Sequence, residues 1–244
     1  MGIYNPEIRE WVKIVHEAGG LCFYDHANFN GVMGKLSARE LGFDACMYML
    51  HKTFGAPKGG NGPSVGAYGC SEELARFLPG PLVINDGNGF RFDDDRPEAA
   101  GKIREYFGNA QQVMKAYAWV AAMGADGINE ASDLSVLANN YMDARLSRLR
   151  GLSRSHPHID APRMEMTRWS MEPLLKETGV GVLDVQRRIT DYGIDAFWLS
   201  HEPWIVPEPF TPEAGEMWSK EDIDRWIDAL AAIIDEAYSD PDLV

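Results

Sequence analysis

The chain is poor in cysteine and in positive charge, and it lacks any long hydrophobic run. Its three cysteines, Cys22, Cys46 and Cys70, show no CxxC spacing, which argues against a redox pair. Cys22 and Cys46 fall in apolar, strand-like runs and read as buried free thiols suited to a reducing compartment. Lys and Arg number 23 against 37 Asp and Glu, a net charge of −14. That balance argues against a nucleic-acid partner, because phosphate backbones are held by clustered cations. No basic-then-apolar leader opens the sequence and no apolar run approaches the length of a membrane span. A soluble cytoplasmic protein with no membrane partner is therefore expected. Internal repeats and low-complexity segments are absent as well.

What is present suits an ordinary globular protein. With 244 residues, 45% of them apolar, the chain can bury a substantial core as one large domain or two unequal ones. The spacing predicts an amphipathic helix over 6–18, closed by Gly19-Gly20, then a short buried strand over 21–24. Further strands are expected over 45–49 and 65–68. Strands punctuated by helices and loops imply a largely parallel α/β sheet. The polar stretch 81–95 reads as a hairpin or loop. Long helices are expected over 97–123, with a break near Gly108, and over 126–149. A strand follows over 163–169, then helices over 181–192 and 220–238, the last with Ser219 as N-cap. The boundary between a sheet domain (1–110) and a smaller α+β domain (111–244) falls inside the helical region. About three strands make too small a parallel sheet to stand alone. The first domain therefore reads as half of a domain completed by another chain.

Two residues organise the chemistry. Lys52 follows the apolar run 45–50, and Asp25 follows the run Leu21-Cys22-Phe23-Tyr24. A lysine after one strand and an acid after another is the pair that pyridoxal phosphate (PLP) requires. The amine forms a Schiff base, and the carboxylate keeps the pyridine nitrogen protonated so that the ring withdraws electrons. Taken singly, each residue has a plainer reading: Asp25 as the cap of a turn, Lys52 as a solvated loop lysine. Ala27 is small enough to let a flat ring approach the backbone. His51 either donates to the cofactor phosphate or turns the chain, and Thr53 offers a hydroxyl to a phosphate oxygen. The segment Gly59-Gly60-Asn61-Gly62 is open to two readings, an anion-binding nest or a surface loop; no GKS or GKT follows it, so it is not a P-loop. Arg163 and Arg168 read either as a clamp for a substrate carboxylate or as surface arginines flanking a strand. His156, His158, His201 and Glu202 match no standard metal spacing. Asp93-Asp94-Asp95 reads as a solvated turn.

Several segments together resemble the glycine cleavage P-protein family, the glycine decarboxylases. They are Tyr24-Asp25-His26-Ala27-Asn28-Phe29-Asn30-Gly31-Val32-Met33-Gly34-Lys35, Gly42-Phe43-Asp44, and Leu50-His51-Lys52-Thr53-Phe54 with its glycine loop. Asp95-Arg96-Pro97, Met123-Gly124-Ala125-Asp126-Gly127 and Leu175-Lys176-Glu177-Thr178-Gly179 extend the match along nearly the whole chain. The resemblance implies an α/β fold: the second half of a fold-type-I PLP-dependent transferase large domain plus a C-terminal α+β small domain. It also implies PLP as cofactor, with Lys52 as Schiff-base lysine, Asp25 beside the pyridine nitrogen and Ala27 beside the ring. His51, Thr53, Gly59, Gly60 and Gly62 then lie around the phosphate. In two-subunit versions of the family this chain is similar to the latter half of subunit 2, and a second P-protein-like subunit would supply the first half of the cofactor domain. The chain departs from the family at Lys58, Asn61, Arg163-Met164-Glu165-Met166, Gly193-Ile194-Asp195 and the run Trp198 to Trp204.

Two classes of function follow. The first is a PLP-dependent enzyme subunit passing through an external aldimine and a quinonoid. Its default reaction is glycine decarboxylation with aminomethyl transfer to a lipoyl carrier protein. A decarboxylase or aminotransferase retooled for another amino acid is the alternative within that class. The second is a non-catalytic partner subunit, which has no chemical need for Lys52 or Asp25.

Overall fold

The computed structural model describes residues 2–56, 65–103, 108–195, 197, 199–200 and 204–244. Two compact units divide the chain. One holds Pro6–Phe29 and Gly34–Ile128; the other holds Met1–Asn5, Asn30–Met33 and Asn129–Val244. The expected boundary near residue 110 falls at the start of the long helix, eighteen residues before this division.

The first unit opens with α1 (Ile8–Glu17). Its apolar residues share a face, as the spacing predicts, yet only Val12 is buried, while Trp11 and Ile14 are exposed. Next come β1 (Phe23–His26), β2 (Ala45–Met49) and β3 (Gly66–Cys70) in one sheet of order β1-β2-β3. β2 matches its expected limits. β1 corrects the expected buried strand over 21–24: it starts two residues later, includes Asp25, and alternates between exposed and covered positions. β1 and β2 are parallel, but β3 runs antiparallel to β2. The sixteen residues between β2 and β3 are long enough for a crossover, so the antiparallel return is not fixed by connection length. Leu50 N–H donating to Val65 O at 3.0 Å continues the β2–β3 pairing.

After the short α2 (Glu72–Ala75), β4 (Leu82–Asn85) and β5 (Phe90–Asp93) form the antiparallel hairpin expected within 81–95. α3 (Ala110–Leu146) corrects the next expectation. Residues 97–103 are not helical and Gly108 precedes the helix, while the interruption at Gly124, with φ 62° and ψ −175°, falls between the two helices expected over 97–123 and 126–149. That backbone geometry is open to glycine and strained for other residues.

The second unit carries the main core. β6 (Ser153–Arg154), β7 (Trp169–Ser170) and β8 (Pro209–Phe210) form a small antiparallel sheet. The strand expected over 163–169 is thus confined to its last residue and Ser170. α4 (Glu172–Thr178) ends on Gly179 at φ 85°, a left-handed cap. α5 (Val182–Asp191) and α6 (Lys220–Ser239) fall within two residues of expectation. In α6, the Ser219 side chain accepts the Asp222 N–H at 3.0 Å, and Asp222 Oδ2 accepts the Ser219 N–H at 3.1 Å. This reciprocal cap fixes the helix start. Ile223, Trp226, Ile227, Leu230 and Ile234 face the core with Met142, Leu146, Trp169, Leu174, Val185 and Phe210. A 3₁₀ turn, Pro241–Leu243, closes the chain. No helix among the described residues is long and apolar enough to cross a membrane.

Candidate functional site

Parallel pairing of β1 with β2 brings Asp25 and Lys52 to the carboxyl ends of adjacent strands. Asp25 sits in register with Met47, and Lys52 follows β2 by three residues. Ligands of open α/β sheets collect at that edge. Asp25 is exposed, and its Oδ1 accepts the Ala27 N–H at 2.8 Å, which fixes the carboxylate's orientation. Lys52 is exposed in the turn after β2, with its N–H donating to Met49 O at 3.1 Å. His51 Nδ1 lies 3.1 Å from Val65 O and 3.3 Å from Val65 N, so the imidazole holds the chain where β3 approaches. Thr53 is buried, and its Oγ1 accepts the Phe29 N–H at 3.0 Å. That bond ties the Lys52 turn to the chain leaving β1. The expected anion nest at Gly59, Gly60 and Gly62, with Lys58 and Asn61, lies outside the described residues, as do His201 and Glu202.

The donor set fits PLP. An exposed primary amine, a carboxylate already oriented by a backbone N–H, and a one-carbon side chain at Ala27 meet the needs of aldehyde, pyridinium nitrogen and ring face.

Beneath this edge lies an aromatic layer that spacing alone did not show. Tyr24 and His26 alternate with Asp25 along β1, so they project to the opposite face of the sheet. The His26 ring stacks on Tyr48 at 4.9 Å and meets Phe29 edge-on at 4.5 Å; Phe54 packs near Phe29 and Trp119. Burial raises the Tyr48 hydroxyl to about 12, helped by its contact with Cys46. His26 is 1% exposed, with no hydrogen-bond partner at Nε2. Burial lowers its pKa from 6.5 to about 4, against an opposing pull from Asp25. The signal was available in the period-two alternation of Tyr24/His26 beside Cys46/Tyr48, but only pairing of the strands makes it one layer.

A pH dependence follows. Unfolded chains bind the His26 proton at 6.5 and folded chains only near 4, so acid favours unfolding across that window. Its contribution is complete above 6.5 and is lost as pH falls toward 4. Denaturant unfolding should show about 2 kcal/mol less stability at pH 5 than at pH 7 from this residue. A His26→Phe chain should lose that part of the slope; an unchanged slope would assign it elsewhere.

In the second unit, Arg163 and Arg168 are both buried, which removes the surface reading. Arg163 Nη2 donates to Ser155 O and His156 O, each at 3.1 Å. Arg168 leaves Nε and Nη1 without partners, and burial lowers its pKa. Residues 30–33 of the run from Tyr24 to Lys35 belong to the second unit. Its Asn30 bonds Ser135 and Glu216 at 3.5 Å each, and a Cβ at Gly31 would collide with Glu165.

Known proteins resemble this chain over its whole length. Residues 131–240 match the family described as "Glycine dehydrogenase, C-terminal domain". The whole chain is 42% identical over 246 aligned positions to "Probable glycine dehydrogenase (decarboxylating) subunit 2" of Pyrococcus abyssi (strain GE5 / Orsay), covering 48% of that protein. The chain is similar along its whole length to glycine dehydrogenase subunit 2 proteins. It is 38% identical to the protein of the same name from Staphylococcus epidermidis, covering 47% of it, so it spans about half the length of these relatives. In fold it matches the crystal structure of a glycine decarboxylase (P-protein) of the glycine cleavage system in inhibitor-bound form, with TM-score 0.76 and 21% identity, over 93% of this chain and 51% of that one. The cysteine desulfurase CsdA from Escherichia coli aligns at TM-score 0.65 and 18% identity, over 97% of this chain and 56% of that one. In backbone fold this chain matches both neighbours over more than nine-tenths of its length.

Proposed function

We propose that this chain carries the cofactor-anchoring half of a PLP-dependent glycine decarboxylase (glycine dehydrogenase, aminomethyl-transferring). The observation that carries the proposal is the placement of Asp25 and Lys52 at the carboxyl ends of two adjacent parallel strands. Identity of 42% along the full chain to a glycine dehydrogenase subunit 2 supports it.

Bound PLP supplies an electron sink for the bond broken at the amino acid's α-carbon. Lys52 Nζ would hold the cofactor through its aldehyde carbon and supply an amine able to take up or return a proton. Asp25, oriented by the Ala27 N–H, would hold the pyridine nitrogen in its protonated form. Ala27 leaves one ring face clear. His51 and Thr53 stiffen the lysine turn through Val65 and Phe29, and with Gly59, Gly60 and Gly62 are proposed to border the phosphate. The substrate-carboxylate role expected at Arg163 extends to its neighbour: Arg163 Nη2 holds two backbone carbonyls, while Arg168 has two unpartnered nitrogens.

Further polypeptide, proposed as a second P-protein-like subunit, completes the cofactor domain. The first unit supports this, since Phe23, Tyr68, Val83, Phe90 and Tyr117 are all more than half exposed, far more apolar area than a finished domain leaves scattered. Handover of the aminomethyl group to a lipoyl carrier is the remaining element of the proposal. A second reading is the same chemistry on a different amino acid, since the chain departs from the family pattern at Arg163-Met164-Glu165-Met166.

The test is an absorption spectrum after adding PLP, with the chain alone and with a candidate partner subunit. A visible band present in the complex and absent from its Lys52→Ala counterpart is expected. No band in either preparation would reject PLP and leave a non-catalytic subunit. Screening amino acids for spectral change, glycine first, then separates the two substrate readings.

A further inference from the structure

The first unit holds a second cluster of reactive side chains, at the opposite ends of the same two strands. Cys22 immediately precedes β1, Asp44 immediately precedes β2, and His16 lies in the last turn of α1. Their ligand atoms, His16 Nε2, Cys22 Sγ and an Asp44 carboxylate oxygen, all lie within 4.8 Å of one another. We infer that His16, Cys22 and Asp44 form a binding site for a thiophilic divalent cation, with Zn²⁺ as the expected occupant.

Ligand chemistry selects the ion. One thiolate, one imidazole and one carboxylate make a mixed N, S, O set suited to zinc, whereas calcium and magnesium take oxygen donors. Bonds of about 2.0 to 2.3 Å at tetrahedral angles separate the donors by roughly 3.3 to 3.7 Å. The present spread closes to that with side-chain shifts of about an ångström. Three protein ligands leave a fourth position for water.

Two of the three ligands are already fixed by backbone. Cys22 O accepts the N–H groups of Asp44 at 2.9 Å and Ala45 at 3.3 Å. The Cys22 N–H donates to Asp44 Oδ2 at 2.7 Å, orienting the carboxylate from behind as an outer-shell partner would. His16, the most exposed of the three, supplies the adjustable arm; its Nε2 already lies 2.8 Å from Asp44 Oδ2. In the ion-free site that contact is a hydrogen bond; on metal binding the neutral imidazole carries its proton on Nδ1, Nε2 turns to the ion, and the thiol proton is released to solvent.

The location gives the ion a structural task. α1 buries only Val12, so few contacts hold the helix to the sheet. A metal joining His16 to Cys22 and Asp44 clips the end of that helix to the start of both strands. The site stands roughly 15 Å along the strands from Lys52, and its occupancy is independent of PLP.

The test titrates the demetallated full chain with Co²⁺, whose thiolate complexes absorb in the near ultraviolet and visible. One equivalent should bind with a thiolate charge-transfer band, be displaced by Zn²⁺, and raise the thermal midpoint. Cys22→Ser should abolish the band while Cys46 and Cys70 remain in place. His16→Gln, a change on an exposed side chain that leaves the fold intact, should weaken binding at least about 100-fold. Absence of stoichiometric binding to the parent chain, or a band that persists in both variants, overturns the proposal. Should Cys22→Ser fail to fold by circular dichroism, His16→Gln alone decides it.

Discussion

Replacing Lys52 with alanine is expected to lower amino-acid turnover by the assembled enzyme at least about 1,000-fold. The reason lies in geometry as much as in reactivity. The turn after β2 presents Lys52 at the carboxyl edge of the sheet, and that turn is locked from both sides. Thr53 Oγ1 holds the Phe29 N–H, and His51 holds the chain entering β3. Alanine keeps the turn and removes only the amine, so folding and subunit association should survive while the PLP-dependent band disappears. Turnover, the spectrum and association are measured on the same preparation. Loss of turnover and band with intact association assigns Lys52 the anchoring role. Full turnover in the Lys52→Ala complex would return this chain to a non-catalytic role and place the working lysine on another subunit.

Phe210→Ala should cost about 3 to 5 kcal/mol of unfolding free energy in the second unit. Phe210 is 1% exposed, pairs with Trp169 across β7–β8, and stacks on Phe197 at 5.5 Å. Phe197 in turn stacks on Trp226 at 6.0 Å. Removing the ring leaves a void walled by rigid aromatic and β-branched side chains, which cannot collapse into it. Urea unfolding followed by tryptophan fluorescence reports on this core, because Trp169, Trp218 and Trp226 belong to it or pack against it. Phe90→Ala is the internal comparison: Phe90 is 79% exposed, so the isolated chain should change by less than about 0.5 kcal/mol. A Phe210 effect as small as that of Phe90 would mean that β8 does not belong to the core.

Much of the site was legible because it is local. A lysine within three residues of one strand and an aspartate at the end of another can be seen in the sequence, and parallel pairing then brings them to one edge. The orientation of Asp25 by the Ala27 N–H is also local, a bond spanning two residues. The roles of Thr53 and His51 were not legible. Each bonds a backbone group fourteen to twenty-four residues away, and nothing in a four-residue motif encodes that partner. Arg163 and Arg168 suited a clamp or a surface strand edge, the surface reading being the plainer, and their burial overturns it. Their burial is set by α3 and the loop around Ser155, which supply the Asn140 and carbonyl partners of Arg163.

By itself the sequence determined β2, α5 and α6, because hydrophobic period and capping chemistry act within one or two turns of chain. It also determined the amine and carboxylate on which the proposed chemistry rests. Only the tertiary structure decided the direction of β3 and the exposure of the apolar face of α1. It alone brought His26 onto Tyr48 and His16 beside Cys22 and Asp44. The physical reason is common to all of these. A pattern of apolar residues states that a face can be buried, but which element meets it, and which polar groups then share a neighbourhood, depends on segments distant in the chain.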